Sequence, residues 1–84
     1  MDNNTKAEAY DNTMGALGHL YKVLGEINAE LLSQTEAMQE ALNDDYADEL
    51  CGRISVFINR MNMFRSDIIE VQRALDRRMT ELFS

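Results

Sequence analysis

Along the first half of the chain, apolar residues return at alternating steps of four and three. They are Tyr10, Met14, Leu17, Tyr21, Leu24, Asn28, Leu31, Thr35, Met38 and Leu42, all apolar or aromatic except Asn28 and Thr35. The stepping resumes at Leu50 and runs through Ile54, Phe57, Met61, Phe64, Ile68, Val71, Leu75, Arg78 and Leu82, broken only by Arg78. A mean spacing of about 3.5 residues is the seam of α-helices lying side by side, and here it is sustained for several heptads in each half.

Between the two stripes lies Asn43-Asp44-Asp45, the one interior cluster of turn-forming residues in a chain without proline. Asn43 can end the first helix and Asp44 or Asp45 can cap the second, with Asp48 and Glu49 in the favoured acidic first turn. The pattern therefore predicts an all-α fold, an antiparallel two-helix hairpin with a helix over about 5–42, a turn at 43–45 and a helix over about 46–83. So short a link forces the helices antiparallel.

Apolar residues also flank both seams. Leu20, Ile27 and Ala41 precede the first seam by one position, and Cys51, Ile58 and Met79 follow the second by one. Stripes of this width belong to helices of a bundle rather than of an isolated pair. A four-helix bundle is the expected resting state, completed by a second hairpin or by another protein. The size of the chain points the same way. Its 84 residues bury little core, and the single cysteine, Cys51, permits no internal disulfide.

Net charge is −7, unevenly placed. Two lysines against nine acids leave the first 45 residues at −7, while six arginines against six acids leave the remainder neutral. Interspersed acids argue against direct nucleic-acid binding, which needs a concentrated basic surface. The asymmetry suggests instead that an acidic first segment faces an arginine-bearing second one. Expected pairs are Arg78 with Glu8 or Asp11, Arg53 with Glu36 or Glu40, and Arg60 and Arg65 with Glu26 and Glu30. Exposed pairs of this kind contribute about 0–1 kcal/mol each.

Candidate chemistry is sparse. The acidic turn lacks the alternating oxygen ligands, central glycine and closing glutamate of a calcium loop, and capping accounts for it. His19, two residues after Leu17, falls off the seam with no nucleophile or orienting carboxylate placed beside it. Cys51 reads as a small, half-buried apolar residue, since Asp48 and Glu49 oppose a thiolate there. No metal ligand set, cofactor motif, small-molecule substrate or catalytic group emerges, and the expectation is a protein that is not an enzyme.

Two features suggest a binding face. Gly18 and Gly25 lie seven apart on the first helix with Leu32 completing the row, and with Gly15 they soften its front half by about 1 kcal/mol each relative to alanine. The row is either a groove for another helix or a segment that orders on binding. On the second helix Val56 and Met63 lie seven apart, opposite the seam. The six methionines suit an adaptable helix-binding surface.

The N-terminal residues do not resemble a signal peptide and no apolar run is long enough to cross a membrane, so a soluble, cytoplasmic protein is expected. In length and hairpin pattern the chain resembles the small helical chaperones of bacterial secretion systems that clamp a needle subunit. It lacks the Trp-x-Gly turn of the secreted hairpins of similar size. The softness that the glycines give the first helix and the surplus apolar width favour an acidic adaptor or chaperone that packs against an apolar helix of a partner protein. The alternatives are a self-assembling homodimer subunit, or an acidic inhibitor that occupies a basic surface of a nucleic-acid-binding protein.

Overall fold

The computed structural model describes residues 3–83, which form helix α1 (Asn3–Leu42) and helix α2 (Asp45–Phe83). The pair is a hairpin measuring 61 × 15 × 15 Å, the length expected of a 40-residue helix at about 1.5 Å per residue. None of the described residues lies in a strand, and no helix is long and apolar enough to cross a membrane.

The turn is built by local chemistry. Asn43 takes a left-handed conformation (φ 46°) and donates its N–H to the Gln39 carbonyl at 2.8 Å, which terminates α1. Asparagine adopts this geometry at less cost than most residues. The Asp44 carboxylate then accepts the Ala47 N–H at 2.7 Å, capping α2 and satisfying one of its free donors. The link is thus residues 43–44, and Asp45, expected in the turn, is the first residue of α2.

The rows of α1 that face α2 are those expected, from Tyr10 to Met38, with Thr35 buried and Leu42 turned out into solvent at 56 % exposure. On α2 the packing differs from expectation. Ala47, Cys51, Ile54, Ile58, Met61, Arg65, Ile68, Gln72, Leu75 and Met79 form the sheltered stripe, again spaced by four and three, with Leu50 and Ile69 half-buried beside it. The Ile54, Met61, Ile68 and Leu75 row stays inside. The expected companion row does not: Phe57, Phe64 and Val71 are each about half exposed and Arg78 is exposed, leaving only Leu50 half-buried, while Leu82, which continues the inner row, is exposed near the end of α2. On a helical wheel of 3.5 residues per turn, exchanging one neighbouring row for the other is a rotation of about 50°.

Two long side chains of α2 lie against glycines of α1 in this orientation. A Cβ at Gly25 would lie 2.5 Å from the Arg65 guanidinium, and one at Gly18 would lie 3.7 Å from the Gln72 amide. Gly25 is thus a notch that the Arg65 side chain fills, whereas at Gly18 a Cβ would make ordinary van der Waals contact with Gln72. Arg65 donates Nε–H to the Tyr21 carbonyl at 3.1 Å and lays its guanidinium 4.0 Å from the centre of the Tyr21 ring. Gln72 reaches the Met14 carbonyl at 3.4 Å. Near the turn, fully buried Ala47 and buried Cys51 let the helices close, and the Cys51 thiol points at the Thr35 carbonyl 3.8 Å away.

The core is thin. Ile68, 4 % exposed, is the one large apolar side chain among the buried residues, which are otherwise Thr35, Ala47 and Cys51.

Candidate functional site

The two long sides of the hairpin differ in chemistry. One carries the hydrogen bonds that cross between the helices. The Tyr10 hydroxyl donates to the Asp76 carboxylate (2.6 Å), Asn28 to Asn62 (2.8 Å) and Gln39 to Asp48 (2.9 Å), alongside Arg65 and Gln72 on their carbonyls. These contacts set the register, since residues whose numbers add to between 86 and 90 lie abreast.

The expected ion pairs between the helices do not form. Arg53 pairs with Glu49 at 3.8 Å and Arg78 with Glu81 at 3.5 Å, both along α2. Arg65 packs on Tyr21 rather than on Glu26 or Glu30, and Asp76 rather than Arg78 meets Tyr10. The cause is geometric: with α2 rotated, Arg78 is carried to the edge of the hairpin.

The opposite side is apolar. Leu20, Leu24, Met61 and Phe64 line a shallow depression there, edged by Arg60. Ile27 lies seven residues from Leu20, and Phe57 and Val71 lie seven residues either side of Phe64, so all three share this side. From the open end toward the turn, the register orders the exposed side chains as Val71, Leu20, Phe64, Ile27 and Phe57, alternating between helices. Fourteen helical residues separate the levels of the first and last, so this ladder runs about 21 Å across the middle of the hairpin. An exposed, contiguous apolar patch rimmed by polar residues is the usual mark of an interaction site.

The face expected from sequence is divided by the structure. Gly18 and Gly25 are occupied by α2 of the same chain, Leu32 is exposed on α1, and Val56 and Met63 are exposed on the outer side of α2, away from α1. Hydrophobic spacing alone places Phe57, Phe64 and Val71 in the interior, which hides the ladder. The signal available for it was the surplus width of the stripes, carried by Leu20 and Ile27.

Asp44 caps α2, Asp48 accepts from Gln39, Glu49 pairs with Arg53, Cys51 is buried and His19 is exposed. The Tyr10 phenol is held above its usual 10.0 by its hydrogen bond to Asp76, then by desolvation and by the charges of Asp76 and Asp11. The folded state thus favours the protonated phenol. Its contribution to stability is present below pH 10.0 and is lost as pH rises through the raised value. The thermal midpoint of the wild type should therefore fall more steeply above about pH 10 than that of Tyr10→Phe. Parallel curves would show that the bond to Asp76 does not form in solution.

No protein-family model matches the chain, and no curated protein or solved structure is similar to it.

Proposed function

We propose that this chain is a non-enzymatic interaction module that acts by packing its apolar face against helices of another polypeptide. The observation that carries this reading is the one-sided ladder of Leu20, Ile27, Phe57, Phe64 and Val71, set against a side that carries the polar cross-links. Support also comes from the thin core, since a hairpin that buries so little gains stability from whatever covers its exposed face.

The reading takes two forms. In one, the chain is an acidic adaptor or chaperone that shields an apolar helix of a different protein. In the other, it is the subunit of a homodimer. A protein partner is favoured over nucleic acid because the arginines are dispersed: Arg65 is folded onto Tyr21, and Arg53 and Arg78 are paired with glutamates.

The test is to replace Phe57 and Phe64 by serine, with Val56→Ser/Met63→Ser as the control on the outer side of α2. Helicity and association are then measured in parallel. Loss of the two rings should weaken association at least about tenfold while leaving the hairpin helical, since a buried aromatic anchor contributes on the order of 2 kcal/mol. The control pair should have a smaller effect. If association survives the loss of both rings, the face is not the functional surface.

A further inference from the structure

We propose that the occupant of the apolar face is a second copy of this chain, with the two hairpins pointing the same way and α1 of each lying across from α2 of the other. This rests on the reading that the face is an interaction surface, and it names the partner.

The first support is area. The hairpin exposes 6379 Å², whereas a compact monomer of 9.6 kDa exposes about 5,100 Å². The surplus, about 1,300 Å², exceeds the roughly 800 Å² that each partner contributes to a standard interface. An interface of standard size with one more hairpin removes more than half of it.

The second support is fit. The ladder alternates between the helices, so a two-fold axis along the hairpin sets the gaps of α1 opposite the projections of α2 at the same level. Phe64 of each chain then enters the gap between Leu20 and Ile27 of the other, with Phe57 and Val71 closing the ends. This is the packing of knobs into holes from which four-helix bundles are built.

The third is charge. Glu30 follows Ile27 by one turn on the outer edge of α1, and Arg60 edges the depression on α2. The register places Arg60 abreast of position 28 or so, beside Glu26 and Glu30, and across the two-fold axis these opposite charges meet. Reversing one hairpin instead lays α1 on α1, bringing the half of the sequence that carries −7 against itself.

The experiment is light scattering of the purified chain across a range of concentrations, with helicity recorded on the same samples. A helical species of twice 9.6 kDa is expected. Direction is read by distance measurements between spin labels on Tyr46→Cys in a Cys51→Ser background, at the turn end of α2. Labels within roughly 30 Å support hairpins pointing the same way. Labels near the 61 Å length of the hairpin overturn that direction.

Arg60→Glu should weaken the dimer by about threefold to tenfold, because the symmetric pair is lost twice, and adding Glu30→Arg should restore it. Both residues are exposed, and helicity recorded on the same variants separates a loss of folding from a loss of association. A dimer indifferent to both changes would overturn the arrangement. A helical chain that stays at 9.6 kDa at every concentration overturns the second copy as occupant, yet leaves the interaction reading standing if the Phe57/Phe64 serine variant still loses association with a different protein.

Discussion

Ile68→Ala should lower the unfolding free energy by about 2–5 kcal/mol, measured from urea transitions followed by helicity. Ile68 is 4 % exposed and, among the described residues, is the one large apolar side chain shut away from water. Truncating it removes buried methyl groups and leaves a cavity between two straight helices that have few ways to collapse around it. Small domains hold about 5–15 kcal/mol in total, so the variant should unfold at markedly lower denaturant. A loss under about 0.5 kcal/mol would show that this row of α2 does not face α1.

Arg65→Ala should cost about 1–3 kcal/mol, a large effect for a residue that hydrophobic patterning alone would leave on the surface. The guanidinium donates a charged hydrogen bond to the Tyr21 carbonyl and covers the Tyr21 ring, and its stem fills the notch at Gly25. A double-mutant cycle sharpens the expectation. Gly15 has open space where a Cβ would go, so Gly15→Ala should stabilise by about 1 kcal/mol in either background. Gly25→Ala should yield little in the wild type, where the new Cβ would displace the guanidinium. It should recover the full gain once Arg65 is alanine. Equal gains at Gly15 and Gly25 in the wild type would show that Arg65 is not seated there.

These two residues mark the boundary of what could be read in advance. The helices and the turn follow from two stripes and one Asn-Asp-Asp cluster, and the observed ends lie within two residues of those expected. The rows of α1 were equally legible because one stripe there is clearly richer than its neighbours. On α2 three adjacent rows compete: one holding Phe57, Phe64 and Val71, one holding Ile54, Met61 and Ile68, and one holding Cys51, Ile58 and Met79. By hydrophobicity the aromatic row ranks above the row interrupted by Arg65 and Gln72. Ion pairs gave no help, since exposed pairs contribute too little to orient a helix.

By itself the sequence determined the helical hairpin, its boundaries, its acidic first half and an apolar stripe too wide for one partner helix. Those properties are local or periodic, set by spacing, capping and the left-handed tolerance of Asn43. Tertiary structure alone decided which edge of the α2 stripe turns inward, and hence where the apolar face lies. The physical reason is complementarity of shape: Gly25 on α1 opens a notch that Arg65 fills, Arg65 and Gln72 bond to backbone carbonyls of α1, and Ala47 and Cys51 let the helices close near the turn. Such a fit depends on residues some forty to sixty positions apart, which no periodicity along one helix records.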